Sequence, residues 1–247
     1  MKSKILYVFA LSSCLMVSTM KAGDDPKMVV GVSVGAAMPM GAYGSTAKLA
    51  AGDTAHANGF AKTGFHFDVN AGYYFTSNVG AMIQIGGNMN GFNMTAYNTT
   101  YGITNSTATA SSYYVGSYLV GPTLRFPLGD KMGFSARILV GLMTLKDSKW
   151  SDTQTFLGTT YTTTEQWNTA SAFAYNIGAS IKYNLTDKMG LGLNIDYLGG
   201  SPNFSTYTRT TTPTTSGSPD VTSGGHKINM GTSLLNISLG LTIGFGS

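Results

Sequence analysis

Charge is what this 247-residue chain has least of. Asp, Glu, Lys and Arg together make up 11% of it, against about 25% in ordinary soluble domains. A soluble β-fold with so few charges would expose broad neutral and apolar patches to water, so the composition disfavours one. Cysteine is nearly absent: the single residue is Cys14, which excludes an intramolecular disulfide framework. After residue 22 no apolar run approaches the roughly 20 residues of a membrane helix. The formal charge of +4 overstates the basic character. Lys2, Lys4 and Lys21 fall in the first 22 residues, leaving 12 basic and 11 acidic side chains and a net charge of +1. No basic patch remains to argue for nucleic acid as a partner.

Residues 1–22 read as a signal peptide. Lys2 and Lys4 form its positive start, Ile5 to Val17 its apolar core, and Met20-Lys21-Ala22 a small-residue cleavage site. Leu11-Ser12-Ser13-Cys14 resembles a lipoprotein acceptor, but Leu15-Met16-Val17 continues apolar beyond it and cleavage near Ala22 is the favoured reading. Residues 23–247 are then the exported domain.

What the chain does have is strict alternation. Phe65, Phe67, Val69, Ala71 and Tyr73 are apolar; His66, Asp68, Asn70 and Gly72 lie between them. After Thr76-Ser77-Asn78 the rhythm resumes, with Val79, Ala81, Ile83, Ile85 and Met89 opposite Gly80, Gln84, Gly86, Asn88 and Asn90. A period of two separates the faces of a strand rather than of a helix, and the short joint predicts an antiparallel hairpin. Strands of ten or more residues exceed the usual five or six and match the ~9–11 that a tilted strand needs to cross a bilayer. The same pattern predicts further strands over 29–38, 113–126, 134–142, 173–183, 191–197 and 235–245. Pro122 lacks a ladder donor and weakens a central-strand reading there, unless a bulge accommodates it.

An internal repeat of six residues marks three short turns: Phe75-Thr-Ser-Asn-Val-Gly80, Leu128-Gly-Asp-Lys-Met-Gly133 and Leu185-Thr-Asp-Lys-Met-Gly190. The other four connections are long, and the ones rich in Thr, Ser and Asn have the composition of a flexible, solvated surface. Eight strands with alternating short and long connections predict an all-β fold, an eight-stranded antiparallel up-and-down transmembrane β-barrel, with short turns periplasmic and long loops extracellular. On these turns and on the last strand, Leu-Leu-Asn-Ile-Ser-Leu-Gly-Leu-Thr-Ile-Gly-Phe, residues 28–247 resemble the small outer-membrane β-barrel proteins of Gram-negative bacteria, of the OmpA/OmpX type. The resemblance implies a location in the cell outer membrane and is specific for architecture rather than activity.

Tyr73, Phe75, Phe126, Phe134 and Tyr183 near the short turns, and Phe65, Tyr114, Phe173 and Tyr197 near the loops, form the two aromatic girdles expected where such a barrel meets the lipid headgroups. His66, Asp68, Gln84, Arg125, Arg137, Lys182 and Asp196 point inward. An eight-stranded interior is filled by side chains, and buried charges must pair. His66, Asp68, Arg125, Arg137, Lys182 and Asp196 are therefore expected to form a lumenal network that plugs the barrel; the rival reading is a charge-lined pore. His66 with Asp68, and His56 with Asp53, could in principle activate water. A hydrogen-bonded polar rim is the commoner use of such pairs, and no enzymatic role is expected. No metal-ligand spacing, phosphate loop or cofactor motif is present, so no cofactor is expected either. The expected role is structural or surface-interacting, with outer-membrane lipid as the surrounding partner and a surface ligand met through the loops. Trp150, Trp167, Tyr97, Tyr101 and Tyr161 are candidates for an adhesive tip. A narrow porin is the alternative. Closure leaves no free strand edge, and a monomer is expected.

Overall fold

A computed structural model describes residues 26–103, 107–156, 158–213 and 218–246. The expected signal peptide and Cys14 lie outside the described residues. In chain order the strands are β1 (Met28–Met40), β2 (Gly64–Tyr74), β3 (Val79–Asn90), β4 (Thr109–Ala110), β5 (Tyr113–Pro127), β6 (Met132–Lys146), β7 (Trp150–Phe156) and β8 (Thr159–Trp167). They continue as β9 (Ala170–Asn184), β10 (Met189–Gly200), β11 (Asn203–Phe204), β12 (Tyr207–Pro213), β13 (Asp220–Gly224), β14 (Ile228–Asn229) and β15 (Thr232–Phe245). Two helices, α1 (Gly41–Gly44) and α2 (Met94–Tyr101), interrupt the series.

Eight of the strands close into an antiparallel barrel in the order β1-β15-β10-β9-β6-β5-β3-β2. These are the eight that alternation predicts, most of them extended by one to a few residues. The barrel is apolar outside and polar within. Leu239 in β15 is 68% exposed while its neighbour Ser238 is 2% exposed. Burial of the polar face and display of the apolar one is sensible only if lipid is the surrounding solvent. Among the described residues no helix is long and apolar enough to cross a membrane; the strands do the crossing.

The six-residue repeat closes all three short turns with the same backbone bond. The backbone N–H of Phe75 donates to Val79 O at 2.9 Å, that of Leu128 to Met132 O at 2.7 Å, and that of Leu185 to Met189 O at 2.9 Å. In the first and third turns a threonine hydroxyl holds the bend: Thr76 Oγ1 and Thr186 Oγ1 each accept from the two residues that complete it. The second turn has Gly129 there instead, at φ 81°, a left-handed conformation that glycine adopts without steric cost.

Pro122 does not require a bulge. The β5–β6 ladder lapses between Val120↔Val140 and Thr123↔Arg137 and resumes in the same register, while Pro122 still lies opposite Ala81 of β3. The missing donor falls in the lapse, so no extra residue has to be inserted.

The long connections are not structureless. β4, β7, β8, β12 and β13 form a second, five-stranded sheet in the order β13-β12-β8-β7-β4, and β11 pairs with β14. Helix α2 begins at Asn93, whose side chain accepts from Ala96 N at 3.1 Å, and ends at the left-handed Gly102. The threonines that suggest a solvated coil are β-branched and suit a pleated surface equally well. Thr153 with Thr162, and Thr155 with Thr160, bridge β7 and β8 through their hydroxyls at 3.3 and 2.9 Å.

Candidate functional site

Going up the barrel from the short-turn end, the lumen changes character in layers. The lowest layer surrounds a cavity of about 160 Å³ bordered by Arg125, Lys182 and Asn194. Arg125 does not join the other charges. Its Nε donates to Ser77 O at 2.7 Å, an Nη donates to Pro26 O at 2.8 Å, and its guanidinium lies 3.9 Å from the centre of the Tyr74 ring. It fastens the short-turn rim. Lys182 stays with this layer as well.

Above it lies a belt of buried polar side chains that contains the other four predicted charges. Arg137 donates through Nε to Asp196 Oδ1 at 2.9 Å, and through Nη2 to Asp196 Oδ2. The two residues sit on β6 and β10, with β9 between them, and both pair in register with Gly178 of β9. A side chain at position 178 would occupy the space where the carboxylate meets the guanidinium. The absent side chain is what lets an ion pair reach across an intervening strand. On the other wall, His66 meets Asn88 Oδ1 through Nδ1 at 2.8 Å and Asp68 Oδ2 through Nε2 at 3.1 Å, and Asn70 donates to Asp68 Oδ1 at 2.9 Å. Asn176 reaches across the lumen to Gln84 at 3.3 Å. His66 and Asp68 are 3% and 2% exposed, so the pair is sealed in the belt rather than displayed at a rim. His56 and Asp53 pair at 3.0 Å in an exposed loop, away from the belt.

The third layer was not expected. Val115 and Leu119 of β5, Leu139 and Met143 of β6, Leu198 of β10 and Leu234 of β15 face inward and are each at most 4% exposed. Together with Ala37, Ala174 and Tyr43 they form an apolar cluster inside the loop half of the barrel. The sequence carries a signal for it. Ile138-Leu139-Val140, Tyr118-Leu119-Val120 and Leu234-Leu235 break the alternation with continuous apolar runs, which mark strands buried on both faces. The cluster is roofed by the loops. The Tyr43 ring meets Tyr113 edge-on at 5.4 Å, Tyr113 donates to Gly59 O at 2.8 Å, and Asn90 donates to Ala37 O and Lys62 O at 3.0 and 2.9 Å.

Beyond the roof, the second sheet and the neighbouring loops border an open pocket of about 320 Å³. Trp150, Trp167 and Tyr97, three of the predicted tip aromatics, line it together with Asp147, Glu165 and Arg209. Tyr101 instead stacks beside Tyr97, with ring centres 4.8 Å apart, and Tyr161 lies part-exposed on the sheet. Glu165 is bound by Arg209 through Nε at 2.8 Å and Nη2 at 2.5 Å. Asp147 stands where β6 leaves the barrel and accepts from the Trp167 backbone at 3.4 Å. Burial pushes its carboxyl up to about 6, and Glu165 adds to the rise. Neither Asp147, Glu165 nor Arg209 is marked by a sequence motif. Among the described residues no three His, Cys, Asp or Glu side chains converge as a metal site would require.

No curated protein sequence matches the chain. A major outer membrane protein from Thermus thermophilus aligns over 88% of this chain and 99% of its own, at 12% identity and a TM-score of 0.51. Neisserial surface protein A aligns over 89% of this chain and 97% of its own at 11% identity and 0.44. Ail, the attachment invasion locus protein of Yersinia pestis, aligns over 89% and 99% at 14% identity and 0.42. At 12% identity the Thermus thermophilus likeness bears on fold alone. A family model described as the outer membrane protein beta-barrel domain matches residues 7–245, and with a closed barrel that displays apolar side chains to its surroundings, the chain belongs to that family of outer-membrane proteins.

Proposed function

We propose that this protein is a surface-interaction protein whose lumen is plugged and whose working end is the extracellular head of loops and second sheet. The observation that carries the reading is the stacking of two different barriers in one lumen. A water-filled path would have to pass the Arg137–Asp196 and His66–Asp68 belt and then the apolar cluster around Leu139, Met143, Leu198 and Leu234. Hydrated ions cross an apolar constriction poorly because they must shed water with no polar group to replace it. The head, by contrast, is built: its strands are hydrogen-bonded and its aromatics are packed. A rigid scaffold presenting ordered loops is the usual setting for binding. No enzymatic step is part of this reading, and a monomer fits it, because a ladder complete around the ring leaves no strand edge that demands a partner.

The narrow porin is the competing reading, favoured by the open cavity at the periplasmic end. Single-channel recording of the refolded mature chain in a planar bilayer separates the two. The plugged barrel gives no conductance steps while heat-modifiable mobility on a gel shows it folded. Reproducible steps from folded protein would overturn the proposal and return Arg125, Arg137 and Lys182 to the role of pore lining.

A further inference from the structure

The head pocket combines three features that select one kind of ligand. Its volume of about 320 Å³ lies at the small end of the range for small-molecule sites. Its walls are aromatic: Trp150 and Trp167, with Tyr97, Phe92 and Phe204. Its charges do not cancel. Arg209 is the basic residue of the lining and is committed to Glu165 by two hydrogen bonds. The Asp147 carboxylate accepts from the backbone N–H groups of Trp167 and Ser148, and among the described residues no cation bridges it. One negative charge is therefore left facing an aromatic-walled cleft. Ring faces attract cations, and a cation that also carries apolar surface would satisfy both the walls and the carboxylate.

We propose that this pocket binds a small organic cation, an ammonium group on an apolar body, with the charge against Asp147 and the body among Trp150, Trp167 and Tyr97. The inference rests on the reading of the head as the working end, and it deepens that reading by naming a ligand class. The raised carboxyl of Asp147 fits the same picture. An incoming cation would replace the solvation that burial has removed and would hold the group ionised at neutral pH.

The chain supplies its own reporter, since Trp150 and Trp167 are its two tryptophans and both stand on the pocket wall. The test is a fluorescence titration of the full, refolded protein with benzyltrimethylammonium, beside benzyl alcohol as a neutral probe and benzoate as an anionic one. A saturable change is expected with the cation at a midpoint at least tenfold lower than with either of the others. Asp147→Asn should raise the cation's midpoint tenfold or more with gel mobility unchanged. Equal response to the cation and the neutral probe, unaffected by Asp147→Asn, would overturn the cation assignment in favour of an apolar ligand. No saturable response to any of the three would overturn the site altogether. Should Asp147→Asn fail to refold, Trp150→Leu read by titration calorimetry tests the aromatic wall, and an unchanged affinity there counts against the proposal. Conductance is recorded on the same preparation. Channel steps with cation binding intact would remove the plug and leave the site; silence with no binding would do the reverse.

Discussion

Asp196→Asn takes one charge out of the centre of the barrel and leaves the other in place. Arg137 is 6% exposed and Asp196 1% exposed, so neither can turn to water. The remaining carboxylate nearby, Asp68, is already held by His66 and Asn70 and is not free to replace the lost anion. Breaking a buried pair from one side costs about 3–5 kcal/mol, because an uncompensated charge stays behind. With a urea slope of about 2 kcal/mol per molar, the unfolding midpoint in phospholipid vesicles should fall by about 2 M. Removing both partners, Arg137→Met with Asp196→Leu, should recover most of that loss, since well-packed apolar pairs commonly equal buried ion pairs. Gly178 supplies an independent check. Gly178→Ala puts a methyl group where the carboxylate lies, and it should destabilise the natural chain more than an Asp196→Ala background, where that atom is gone. Two results would refute the reasoning: an Asp196→Asn midpoint within about 0.3 M of the natural one, or a cycle in which Gly178→Ala and Asp196→Ala simply add.

Leu239 projects from the middle of β15 and is 68% exposed, so Leu239→Arg should cost about 2–4 kcal/mol as a lipid-facing charge near the bilayer centre. The urea midpoint in vesicles measures it, and a loss that stays below about 0.5 kcal/mol would remove β15 from the lipid boundary. Asp147 yields a pH dependence. Its folded pKa of about 6 lies above its ordinary value of 3.8, so the folded state holds the proton more tightly. The head should therefore gain stability as pH falls from above 6 towards 4, by about 1–3 kcal/mol. Asp147→Asn should abolish that gain, which hydrogen exchange of β7 and β8 amides at pH 8 and pH 5 would show; an unchanged slope in the variant would assign it elsewhere.

The barrel was legible in the sequence because lipid reverses the usual burial while keeping the period of two. Phe65–Tyr73 and Val79–Asn90 announce two faces whichever of them is wet. The short turns at 75–80, 128–133 and 185–190 then fix where one strand stops and the next begins. The head was hidden for a related reason. In Thr159–Trp167 threonines fall on both faces and neither face is consistently apolar, so alternation gives no contrast. Its strands are specified by pairing with β7 and β12, which no local window contains. Of the predicted network, the inward direction of each residue followed from parity, and four of the six charges form two separate pairs, Arg137 with Asp196 and His66 with Asp68. Which of them pair did not follow, because Arg137 and Asp196 are joined over Gly178, and that requires knowing that β6, β9 and β10 are consecutive around the ring. Arg125 left the group because carbonyls at the rim and the Tyr74 ring already satisfy its guanidinium.

The closing ladder of the barrel joins its first and last long strands, with Met28 opposite Phe245. Every other barrel ladder is between consecutive long strands and can form by local zippering. This one spans nearly the whole chain, and the entropy of bringing such distant ends together is met only at the final step. Until then β1 and β15 each present a row of unpaired N–H and C=O groups, which hydrocarbon cannot satisfy. A chain in transit therefore cannot be stored in the membrane half-built. It must either keep both edges in water or have them capped by another protein's strand, and its commitment to the bilayer is a single late event rather than a strand-by-strand entry.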